Sequence, residues 1–224
     1  MKELFERLVT GTLAAAALVI AILMLRRELS PREARTSAVA LAPPTKISQW
    51  EELLKVGRRM GSDSAAITII EFGDLECPFC AKFHDTYRAI RQRFGDQISL
   101  VFLHHPLPAH RFARPAARAA ECAASEGLFG PFVEAVFRNQ DSLGLKTWVE
   151  YASGAGVTDT VRFRQCATDT MTVRRVEDGL AIGKQIGVRG TPTIGINGWR
   201  YDVPPSEEQI ERAIRALLAG KDPP

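Results

Sequence analysis

A net charge of only +3 on 224 residues is too small an excess to argue for a nucleic-acid partner. The arginines are scattered. Where three gather, in HRFARPAARAAEC, Arg111, Arg114 and Arg118 fall at helical spacing and read as a solvated helix face. No internal repeat is visible, and the chain is too short for two full domains, so one domain with an appendage is expected. Cysteine is sparse: Cys77, Cys80, Cys122 and Cys166 are the four. An even number is compatible with two disulfides and an oxidising compartment without proving either. Apolar residues at 46% and charged residues at 25% are ordinary globular proportions, so a core forms without extra staples.

Charge is absent altogether from one stretch. Residues 8–25, LVTGTLAAAALVIAILML, carry no ionisable side chain and are bounded by Arg7 and by Arg26-Arg27. As a helix this run extends about 27 Å, enough to cross the hydrocarbon layer. The small-residue triplet Ala38-Val39-Ala40 lies beyond two arginines and a proline, a poor context for signal cleavage, so the run is expected to remain as an anchor. Lys2 and Arg7 precede it, whereas Arg26, Arg27, Arg32 and Arg35 follow it. On flanking charge alone the C-terminal side would stay in the cytoplasm; an outward placement has to come from the domain itself. The expected organisation is a tail (1–7), a transmembrane anchor (8–25), a polar, proline-containing stalk (26–48) and a folded domain (49–220).

Within the domain, ISQWEELLKVGRRMG reads as an amphipathic lead-in ending at Gly61, and AAITIIEF as a buried strand. A helix follows from Pro78 through Phe83, Tyr87, Ile90 and Phe94, ended by Gly95-Asp96. QISLVFLHHPLP is a second strand stopped by prolines. Strand signals are then missing from about 111 to 187, which predicts an all-helical insertion. GTPTIGINGWRYDV gives two strands joined at Asn197-Gly198, and Ser206 with Gln209 forms a capping box for a last helix. Strand, helix, strand, hairpin and helix make an α/β sandwich with a mixed sheet.

Cys77 and Cys80 lie in FGDLECPFCAKFHD. A zinc reading would add His84, but no second Cys/His knuckle supplies a fourth ligand. A disulfide closing so short a loop removes little chain entropy and would be a weak staple. Redox exchange fits better. Cys77 stands at a helix N-terminus, where unpaired N–H groups and the helix dipole favour a thiolate. Cys77 is expected to be accessible, whereas Cys80, about one turn further in, is sheltered and placed to resolve a mixed disulfide on Cys77. His84 reads as an exposed helix residue, and His104, His105 and His110 have no assignable partners. Cys122 and Cys166, 44 positions apart, are either buried thiols or a bridge worth about 4 kcal/mol by the chain-entropy account.

TIIEFGDLECPFCAKFHDTY followed by GVRGTPTIGING resembles the DsbA-like thiol–disulfide oxidoreductases of the thioredoxin-like superfamily, over about three-quarters of the chain. The resemblance implies a thioredoxin-like α/β fold with a helical insertion, and no metal or cofactor. It implies a cis Thr191-Pro192 bond beside the motif, with Thr191, Pro192, Pro78 and Phe79 contacting an extended substrate peptide. It implies a buried acid at Glu71 that relays the Cys80 proton, and a structural bridge between Cys122 and Cys166. Phe79 stands where enterobacterial-type oxidases carry histidine, so a less depressed Cys77 pKa is expected. The implied activity is that of a membrane-anchored, extracytoplasmic enzyme, an oxidase rather than a reductase, acting on cysteines of exported proteins and reset by a membrane redox partner. The competing reading is a thioredoxin-like copper-delivery protein, although those usually space their cysteines by three residues.

Overall fold

The computed structural model describes residues 11, 17–22, 24 and 43–224. The expected anchor (8–25) and the stalk therefore lie largely outside the described residues. Among those residues no helix is long and apolar enough to cross a membrane. The chain divides into two compact units, Met1–Leu41 and Ala42–Pro224, and everything below concerns the second.

Its centre is a pair of parallel strands, β3 (Ile67–Gly73) and β4 (Ile98–His104), buried along their whole length. Continuous β-branched and aromatic runs suit strands covered on both faces. The hairpin β5 (Thr193–Ile196) and β6 (Trp199–Tyr201) adds antiparallel to β3. Its turn needs positive φ, which Asn197 (44°) and Gly198 (82°) supply. Two strands depart from the sequence reading. Thr45–Lys46 (β1), taken as the end of the stalk, pairs with β6. Arg58–Gly61 (β2), taken as part of a helical lead-in, pairs antiparallel with β4. A helix does form before it, α1 (Glu51–Val56), but the free edge of β4 captures the residues that follow. The sheet order is β1-β6-β5-β3-β4-β2.

Strand alternation sorts the two faces of the sheet. Ile70, Phe72, Val101 and Leu103 pack towards α1 and α7 (Arg174–Gln185). Gly179 lets α7 press against the sheet, because a Cβ there would lie 2.5 Å from the His104 carbonyl oxygen. Ile67, Ile69, Leu100 and Phe102 face α2 (Pro78–Phe94) and α8 (Glu207–Leu218). The insertion consists of α3 (Ala113–Ala124), α4 (Phe129–Arg138), α5 (Trp148–Gly154), α6 (Thr160–Thr168) and α7. Its apolar faces continue the α2 side of the core through Phe129, Phe132, Val133 and Val136. A disulfide joins Cys122 on α3 to Cys166 on α6.

Candidate active site

Strand β3 and helix α2 meet at residues 74–77, and the loop is tightly held. The Cys77 N–H donates to the Asp74 carbonyl at 3.0 Å, and the Cys77 carbonyl accepts from the N–H groups of Cys80 (3.1 Å) and Ala81 (3.2 Å). Cys77 is the N-cap residue and Pro78 opens the helix, where its missing N–H costs nothing. Both cysteines are free thiols.

The two sulfurs are unequal. The Cys77 pKa falls to about 6, chiefly because the Cys80 thiol donates to its thiolate; burial opposes this, while the Thr191 side chain and the N–H groups of Cys80 and Phe79 help. Cys80 moves the other way, well above its ordinary value, through burial first and then the neighbouring Cys77 and the charge of Glu71. The Asp74 N–H approaches the Cys80 sulfur at 3.4 Å. One expectation needs correcting. Cys77 was read as accessible, yet it is only 3% exposed, because its thiol turns under the loop from Gly190 and donates to the Thr191 carbonyl at 3.3 Å. The Thr191-Pro192 peptide bond is cis.

Beside this loop runs a groove of about 530 Å³ lined by Phe79, Arg189, Thr191, Pro192, Arg200 and Asp202, among others. Phe79 stands out of the surface at its rim, 67% exposed. Thr191, Pro192 and Phe79 therefore share one surface, with Pro78 next in the chain.

Glu71 points into the α2 side of the sheet and is fully buried. There it meets a residue that the sequence reading misplaced. His84 is not exposed but wholly buried, since it lies four residues after Cys80 on the same helix face. Its Nε2 lies 2.8 Å from Glu71 Oε2 and its Nδ1 lies 3.2 Å from Glu134 Oε1 on α4. Burial alone would lower its pKa, but the charge of Glu71 and the hydrogen bond to Glu134 prevail and raise it to about 9. With both ring nitrogens committed to carboxylates, His84 offers no lone pair to a metal beside the cysteines.

The other histidines also find partners or burial. His110 Nδ1 lies 2.7 Å from Asp74 Oδ2, which also accepts from the Leu107 N–H at 2.8 Å. His104 pairs with Glu121 at 3.1 Å, in a cluster completed by Arg58. His105 stands edge-on to Phe72, and burial lowers its pKa. Glu134, Asp74 and Gln140 escaped the sequence reading altogether. Asp74 is adjacent to the motif and could have been flagged. Glu134 and Gln140 reach the site only through the packing of the insertion.

The domain is a mixed sheet with α2 opening at a CxxC pair, a cis-proline loop beside it and a helical insertion. Solved structures agree. BdbD from Bacillus subtilis (oxidised) superposes with a TM-score of 0.67 at 22% identity, covering 80% of this chain and 98% of its own. Wolbachia pipientis alpha-DsbA1 gives 0.62 at 20% identity, covering 73% and 92%. A family model described as Thioredoxin matches residues 54–216, and the chain belongs to that family. Among curated proteins, the Na(+)/H(+) antiporter NhaA 1 of Mycolicibacterium gilvum is 35% identical over 164 residues, 72% of this chain but 26% of that protein. The chain thus spans about a quarter of the length of the curated relatives it matches.

Proposed function

We propose that residues 42–224 form a protein thiol–disulfide oxidoreductase that exchanges disulfides with cysteine-containing exported proteins. The observation that carries this reading is the opposed tuning of two adjacent thiols, Cys77 down to about 6 and Cys80 up. A low-pKa sulfur attacks and leaves readily; a high-pKa sulfur is held protonated until it resolves the mixed disulfide. Cys77 attacks, Cys80 resolves, and Glu71 exchanges the Cys80 proton. A substrate peptide lies along the groove against Thr191, Pro192, Pro78 and Phe79, and its approach displaces the Cys77 thiol from the Thr191 carbonyl.

In the wider reading, residues 8–25 anchor the domain to the membrane with the active site outside the cytoplasm, and a membrane redox partner restores the disulfide. The Cys122–Cys166 bridge supports an oxidising location. The match to one segment of proteins named as membrane antiporters supports a membrane setting. It lends no ion transport to this chain, whose matched part is about a quarter of theirs. The domain acts as an oxidase rather than a reductase.

Equilibration with glutathione tests the proposal. The Cys77–Cys80 pair should oxidise and reduce reversibly, Cys77→Ser should abolish exchange, and Cys80→Ser should trap a mixed disulfide on Cys77. Alkylation of Cys77 should rise with pH through about 6 and then level off. A Cys77→Ser protein that still catalyses exchange would refute it.

A further inference from the structure

Helix α7 ends in a turn that delivers the chain to the active site. The N–H of Gly187, which has a φ of 75°, donates to the Lys184 carbonyl at 3.2 Å. The Val188 N–H reaches the Gly183 carbonyl at 2.8 Å. Glycine suits that left-handed turn, since it carries no Cβ to strain. Arg189 follows, and then residues 190–193, closed by the Thr193 hydroxyl donating to the Gly190 carbonyl at 2.8 Å. Arg189 thus joins the groove on a fixed backbone, two residues before the Thr191 carbonyl that holds the Cys77 thiol. Two residues of extended chain span at most about 7 Å.

The charged side chains lining the groove are Arg189, Arg200 and Asp202. Arg200 is fully engaged. Its Nε and Nη2 donate to Asp202 Oδ1 at 3.2 and 2.7 Å, and its Nη1 donates to the Ile186 carbonyl at 2.6 Å. Asp202 offsets its charge, and the guanidinium ties β6 to the end of α7. Arg189 differs. It is exposed and joins no ion pair among the described residues. It also lies four residues beyond α7, past the last turn in which a helix dipole favours a cation. Nothing in the fold balances this positive charge beside the reactive sulfur.

We propose that Arg189 selects substrate peptides that carry an aspartate or glutamate about two residues from the reacting cysteine. This rests on the reading of Cys77 and Cys80 as an exchanging pair with the groove as its peptide site. An extended peptide advances about 3.3 Å per residue, so the offset between Thr191 and Arg189 corresponds to about two positions. A guanidinium can grip a carboxylate with two N–H donors at once. Phe79, Pro192 and Pro204 line the same groove, and a peptide covering them would exclude water and strengthen the pair. A lysine at that position would meet repulsion. Arg189 is a specificity contact for the flank of the substrate and takes no part in the electron transfer.

The test uses the oxidised full chain and short peptides, acetylated and amidated so that only side chains differ in charge. Each has one cysteine, with glutamate, glutamine or lysine two residues before or after it. Two peptide thiols form one peptide disulfide, while the Cys77–Cys80 bond takes up two electrons and two protons to give two thiols. A nearby glutamate also lowers the thiolate fraction of the peptide itself. Each rate is therefore divided by that of the same peptide with 2-hydroxyethyl disulfide. On one side of the cysteine the glutamate peptide should react about threefold faster than the glutamine peptide, and the lysine peptide slower. The ratio should fall towards one in ~1 M salt. Arg189→Gln should level the three peptides and Arg189→Glu should favour lysine; both replace an exposed side chain and should fold. Equal rates for all peptides with wild type, or a glutamate preference that survives in Arg189→Gln, would overturn the selectivity and leave the exchange activity standing. Failure of wild type to oxidise any peptide would remove both.

Discussion

Gln140, from the turn that follows α4, donates its side-chain amide to the carbonyl of Cys77 at 3.0 Å and to that of Leu75 at 2.9 Å. The insertion therefore grips the backbone of the reactive loop itself and does more than shield one side of the domain. Two carbonyls in a single turn share one side-chain donor, and that donor comes from 63 residues away.

Replacing Gln140 with alanine removes both bonds from a half-buried site. About 1–2 kcal/mol of stability should be lost, with disulfide exchange retained but slower through a looser Cys77. Urea denaturation together with the Cys77 alkylation rate measures both effects. An unchanged midpoint would mean that the amide contributes nothing.

His84 gives the protein a pH signature of its own. Its folded pKa of about 9 lies above the ordinary 6.5, so protonation favours the folded state. The stabilisation is fully present below 6.5, declines as pH rises and is gone above about 9. Wild type should exceed His84→Gln by on the order of 3 kcal/mol more at the acid end than at the alkaline end. Unfolding of both proteins at several pH values reads this out, and a gap that stays constant with pH contradicts it.

Phe79 is exposed at the rim of the groove and has little packing to lose. Phe79→Ala should shift stability by less than about 0.5 kcal/mol. It should nevertheless raise KM for a cysteine-containing peptide several-fold, because a substrate would cover the ring. Small reagents that need no groove should alkylate Cys77 at the wild-type rate. A change confined to kcat would argue against peptide contact at this position.

Replacing Cys122 and Cys166 together with alanine opens a loop whose ends are 44 residues apart. The cost should be about 4 kcal/mol, seen as a lower denaturation midpoint, with the Cys77 pKa unmoved because the bridge lies between α3 and α6. A large shift in Cys77 reactivity would instead tie the bridge to the active site.

Local chemistry determined much of this protein before any contact was known. The β-branched run at Ile67–Gly73, the Cys77-Pro78 helix start, the Asn197-Gly198 turn and the Ser206–Gln209 capping box each encode their conformation within a few residues. Tertiary structure alone decided the rest. Whether Arg58–Gly61 became helix or strand depended on the unpaired edge of β4. Cys77 read as open until the Gly190–Pro192 loop was laid against it. Helical spacing placed His84 in line with Cys80, but only the sheet beneath and α4 beside it made that face an interior one, with Glu71 and Glu134 as partners. Backbone preference acts over one or two turns, whereas burial and charge pairing depend on segments that meet only when the chain closes on itself.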